Sequence, residues 1–190
     1  MLSKISFPLL AYAATYATIW LHELGHALVF RRFGCKPDLF DLYVPFHFGA
    51  ASPAPLDAAC VTSMNNFQLF LASMGGISAN LLLSAGGLWL LRHMQTGSRA
   101  AWFFSVFVLA NLTEAASYLT LSNIRPLGDM IDVQNYCPAW RLPLGLLGII
   151  LVIWLIQFLK SVPPTWRIGL SIFCAIMAGC MVGMRFVFAS

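Results

Sequence analysis

Between Ile5 and Phe30 the only acidic, basic or imidazole side chains are His22, Glu23 and His26. A run this long and this apolar matches the roughly 30 Å hydrocarbon core of a bilayer, where only a helix closes its own backbone hydrogen bonds. The three ionisable residues are therefore expected inside a transmembrane helix. Ionisable groups are costly there and point to function. On a helix, positions i and i+4 lie one above the other, so both imidazoles of His22 and His26 can reach one metal ion while Glu23 faces the space beside it. With the helix ending at Phe30, His26 lies about 6 Å and His22 about 12 Å below the face where Arg31 and Arg32 begin, here termed the near side.

Hydrophobic residues make up 59% of the chain and charged residues 9%, a balance that excludes an ordinary soluble domain. Four more apolar spans follow, Phe67 to Leu91, Ala101 to Leu121, Leu142 to Leu159 and Ile168 to about Phe188. The expected fold is all-α and integral to the membrane. It is one domain, residues 1–190, with about five transmembrane helices: a core over 1–132 and two additional helices over 133–190. The 11 Lys and Arg are scattered at helix ends, which gives no nucleic-acid footprint. The five cysteines are odd in number and lack a C-x-x-C pair, so they read as small apolar filler rather than a disulfide framework.

Between the first two spans, Leu39 to Phe48 is rich in aromatic and branched residues and is expected to form a short strand or re-entrant hairpin near the metal. His47 lies in it, as an interfacial residue or an accessory ligand. Three spans bring the chain after Leu121 back to the near side, where Asn123 and Pro126 end the helix. Catalytic zinc takes three protein ligands and leaves one position open, and Asp129 is the best third ligand, with Asp132 the runner-up.

Polar and small residues mark the helices that should surround the His pair. The second span has a small-residue face, Gly75, Gly76, Ala79 and Asn80, that lets the His-bearing helix approach. Asn80 is either an interhelical hydrogen bond or a substrate-positioning amide. The third span carries a stripe of Asn111, Glu114, Ser117 and Tyr118. Glu114, level with the His pair, is a supporting carboxylate, a substitute ligand or a hydrogen-bonded packing residue. In the last span Ala175, Gly179 and Gly183 recur every four residues, a seam for a neighbouring helix or for a homo- or hetero-oligomeric partner.

Together, His22-Glu23-Leu24-Gly25-His26, Gly76-Ile77-Ser78-Ala79-Asn80, and Asn123-Ile124-Arg125-Pro126 followed by Asp129 resemble the site-2 protease family of intramembrane zinc metalloproteases. The match covers a three-helix core, roughly residues 5 to 132. The resemblance implies zinc held by His22, His26 and Asp129, water activated by Glu23, and substrate placed by Asn80 and Asn123, with Glu114, His47 and Asp132 as possible accessories. The substrate would be a membrane protein with a transmembrane segment. One departure is visible: the family's third motif generally reads Leu-Asp-Gly, whereas this chain has Leu127-Gly128-Asp129-Met130. The alternative is a non-catalytic scaffold or accessory subunit of a larger membrane complex, derived from such a protease. A metal-ion carrier is less suited, since its ligands would line a path through both halves of the membrane. The near side collects six Lys and Arg against five on the far side, and the cluster after the first span favours a cytosolic near side.

Overall fold

The computed structural model describes residues 6–46 and 51–183. Seven α-helices are found among them: α1 Ser6–Arg32, α2 Ala58–Ser63, α3 Asn66–Arg92, α4 Arg99–Ser117, α5 Asp129–Tyr136, α6 Arg141–Ser161 and α7 Pro164–Val182. α4 continues into a π-helical turn, Tyr118–Ser122, and a single 3₁₀ turn, Pro138–Trp140, leads into α6.

Local chemistry fixes the ends. α3 starts on a capping box in which the Asn65 side chain accepts from the Gln68 N–H while the Gln68 side chain accepts from the Asn65 N–H, both at 2.9 Å. Ser98 caps α4 through the Ala101 N–H at 3.0 Å. Pro163 and Pro164 end one helix and open the next, because Pro removes a donor that the first turn of a helix does not use.

The expectation of five apolar membrane-length helices is corrected to four among the described residues: Asn66–Arg92, Arg99–Ser122, Pro138–Ser161 and Pro164–Val182. The one left out is α1. At 27 residues it equals α3 in length, but Thr15, Thr18, His22, Glu23 and His26 lower its hydropathy. Those five side chains are buried. α1 packs against both α3 and α4, which also pack on each other, while α6 and α7 lie outside against α4.

The expected strand or re-entrant hairpin is also corrected, since no β-strand occurs among the described residues. A lone antiparallel bridge joins Tyr43 and Ser52. Pro37, Pro45, Pro53 and Pro55 lack the N–H groups that a ladder needs. The segment runs back along α1 instead, held by side chains of that helix. Tyr16 Oη donates to the Val44 carbonyl at 3.1 Å and Tyr12 Oη to that of Phe46 at 2.7 Å, while Trp20 stacks on Phe40 with ring centres 6.2 Å apart.

Nearer the helix ends, the same connection is stapled. Cys35 and Cys60 form a disulfide with Cα atoms 5.2 Å apart, against the reading of both as apolar filler. Beside it Lys36, only 1% exposed, donates from Nζ to the carbonyls of Asp41 and Pro55, and Arg31 donates to those of Lys36 and Pro37. A buried cation is tolerated when it is hydrogen-bonded, and for Lys36 two backbone oxygens serve as acceptors. Cys137, Cys174 and Cys180 are free thiols.

Candidate metal centre

Two helices must come very close for an imidazole pair on one to be backed by the other, and glycine makes that possible at two levels. A Cβ on Gly25 would lie 2.5 Å from the Gly75 carbonyl oxygen, and a Cβ on Gly75 would lie 2.6 Å from that of Gly25. α1 and α3 therefore touch backbone to backbone inside the His22–His26 segment itself. One residue on, a Cβ on Gly76 would fall 2.4 Å from His26 Nε2 and 2.7 Å from His22 Nε2. The backbone of α3 is the floor of a small space in front of both rings.

α5 closes that space from the near side. Gly128 has φ +55°, in the range that favours glycine, and turns the chain so that α5 starts at once with Asp129. This explains why Gly precedes the Asp. Asp129 Oδ2 lies 3.4 Å from His22 Nε2 and 3.3 Å from His26 Nε2, and the two Nε2 atoms are 3.0 Å apart. These three are the group of His, Cys, Asp or Glu that can share one ion among the described residues. Tetrahedral zinc with ligands at about 2.0–2.1 Å places them about 3.3 Å apart. The observed triangle has that size. Asp129 Oδ2 is also buried without a hydrogen-bond partner, although it faces two imidazoles. Two nitrogens and one oxygen at this spacing, one of them orphaned, fit a small divalent cation.

Burial alone would raise the Asp129 carboxyl, but the adjoining imidazoles more than reverse this and hold it well below the usual carboxylate range.

The rings are held from behind. His26 Nδ1 lies 2.7 Å from the Ala72 carbonyl, which can only accept, so Nδ1 carries the proton and the Nε2 lone pair faces the cluster. His22 Nδ1 lies 3.0 Å from the Asn80 side-chain amide. Tyr118, in the π-helical turn, stacks on His22 with ring centres 5.3 Å apart.

The other candidates take varied places. Glu23 is buried at 7% exposure, and the charges of His22, His26, Asp129 and Glu114 all bear on it. Glu114 is half-buried, close enough to act on His22 electrostatically but outside the three clustered ligands. Asp132 accepts from Ser73 Oγ at 2.8 Å, which ties α5 to α3. Asn123 donates to the Arg141 carbonyl at 2.6 Å and accepts from Gln134, bordering a cavity of about 600 Å³ between the π-helical turn and α6. Its amide is committed to holding the return loop. His47 lies outside the described residues. Sequence reasoning assigned Gly76 only to helix approach and gave Gly128 no conformational part. The spacing of Gly76, four residues before Asn80, was the one available signal for the floor of the site.

Comparison with protein-family models, characterised proteins and solved structures finds no match for this chain. What stands on its own geometry is a buried His-His-Asp cluster, able to coordinate a metal ion, within described residues that are all-α and include four apolar helices of membrane length.

Proposed function

We propose that this chain is an intramembrane zinc metalloprotease of the site-2 protease type, hydrolysing peptide bonds in or near transmembrane segments of other membrane proteins. The observation that carries the reading is the orphaned, buried Asp129 Oδ2 between two Nε2 atoms at the spacing zinc requires. His22, His26 and Asp129 would hold the ion. When bound, zinc in a three-ligand site activates water near neutral pH and polarises a carbonyl.

The chain's own groups do the rest. Glu23 follows His22 directly and is enclosed with the cluster, so its carboxylate takes the proton of the attacking water and returns it to the leaving amine. Burial among α1, α3 and α4 excludes bulk water from that transfer. A helical substrate has its carbonyls tied in hydrogen bonds, so it must unwind locally before attack.

The test is zinc per chain and cleavage of a reconstituted transmembrane peptide, for wild type, His22→Ala, Asp129→Ala and Glu23→Gln. Expected are about one zinc in wild type and in Glu23→Gln, loss of zinc in the two ligand variants, and cleavage by wild type alone. Wild type without zinc sinks the reading. A zinc-loaded wild type that cleaves no faster than Glu23→Gln leaves a metal-bearing scaffold instead.

A further inference from the structure

We infer that Asn80 is a positioning residue for the ligand His22, its side-chain oxygen accepting the Nδ1 proton; this rests on the metalloprotease reading. A ligating imidazole gives one nitrogen to the ion and needs an acceptor for the N–H of the other. For His26 the Ala72 carbonyl supplies it. For His22 the Asn80 side chain stands at that place, 3.0 Å from Nδ1 and fully buried.

The amide can present either end. Its nitrogen is the atom drawn toward the ring, and its oxygen has no partner at all. No other neighbour therefore holds the amide in one orientation, and the proton on the ring decides. With the NH₂ toward Nδ1, that nitrogen must accept, and the ring proton moves to Nε2, between His26 Nε2 and Asp129. With the oxygen toward Nδ1, the proton stays behind the ring and the Nε2 lone pair faces the cluster. Only the second arrangement lets His22 ligate. Asn80 also supplies its acceptor without adding a charge to a site that already encloses Glu23 and Asp129. Because Nδ1 is on the flank of the ring turned away from the cluster, an amide bonded there lies behind His22, not in front of it where a substrate would be.

Purified wild type, Asn80→Asp and Asn80→Leu would be compared for zinc affinity by chelator competition and for the cobalt(II) absorption spectrum. Expected is a loss of about 10–100-fold in Asn80→Leu, with Asn80→Asp close to wild type because it keeps an acceptor. Nitrogen NMR of His22 in zinc-loaded wild type should place its proton on Nδ1. Wild-type affinity in Asn80→Leu overturns the assignment while leaving the metalloprotease reading intact, whereas a proton on Nε2 in the loaded protein overturns the assignment and removes His22 from the ligand set as well. Absence of metal in wild type overturns both.

A second inference is independent of activity. The geometry points to an oxidising compartment at the end of the bundle where α1 ends and α3 begins. The Cys35–Cys60 disulfide lies there, three residues past the end of α1, on the side toward which the His22–His26 segment is displaced. Disulfides persist in oxidising compartments and are rare where thiols are kept reduced. Set against it is a charge excess of one residue, six to five, counted on the sequence. Cells acid-trapped, denatured and treated with a maleimide-polymer tag should yield protein with three tags, on the three free cysteines, and five after reduction. Five tags without reduction overturn it.

Discussion

α4 and α7 are both long and apolar enough to cross a membrane, with mean hydropathy 1.3 and 1.6, yet 72% of the α4 window is buried within the protein against 11% for α7. Hydropathy barely separates them. Lipid is as apolar as a protein interior, so an enclosed helix and a lipid-facing one can look alike by composition. What separates them is the polar content: α4 carries Asn111, Glu114 and Ser117 along its length, whereas the one ionic group of α7 is Arg167 near its start. Among the described residues, His22, Glu23 and His26 lie buried on α1, a helix that packs against both α3 and α4.

That contrast can be broken in four ways, the most severe first. Gly76→Val should abolish metal binding, a fall of roughly 100-fold or more and beyond the loss of any supporting hydrogen bond, because the new Cβ takes the space before both imidazoles; chelator competition reads it. Next, Gly25→Ala should lower stability by about 1–3 kcal/mol, since its Cβ meets the Gly75 carbonyl and the two backbones must part. Unfolding in detergent measures this, and zinc content should fall with it. Asn111→Leu removes the 2.9 Å bond to Thr18 Oγ1 that joins α4 to α1, and should cost about 0.6–1.7 kcal/mol in the same assay. The smallest effect is expected on α7. Gly179→Ala meets nothing within 4 Å, so stability should change by less than about 0.5 kcal/mol. A shift in oligomeric state in that variant would instead make the α7 seam a surface covered by protein.

The sequence made the candidate site residues legible because they are expensive where they stand. His22, Glu23 and His26 interrupt an apolar run, and Asp129 follows a helix stop, so each announced itself against its surroundings. Their consequence for hydropathy was harder to see: the same polar residues that mark α1 as the candidate metal-binding helix remove it from the apolar membrane-length set, leaving four such helices among the described residues. The strand expected after α1 failed for a related reason. Aromatic and branched residues there serve side-chain contacts with Tyr12, Tyr16 and Trp20, and the prolines between them forbid a ladder. The Cys35–Cys60 pair was out of reach because a separation of 25 residues matches no short motif, and only the folded course of the loop brings the two together. Gly128 was noticed as a displaced letter in a motif. Its positive φ gives that displacement a cause.

The floor of the site also bears on which ion it admits. Gly76 places backbone directly in front of the two imidazoles, and the crossing of Gly25 on Gly75 locks that backbone to α1, so the triangle of 3.0, 3.3 and 3.4 Å has little freedom to widen. Calcium prefers six to eight oxygen ligands at 2.3–2.6 Å, and magnesium an octahedron of oxygens with several waters retained. Neither suits three converging atoms of which two are nitrogen. A site with this donor set and spacing would favour an ion by its radius and coordination number, and the missing side chain of Gly76 leaves the room for it.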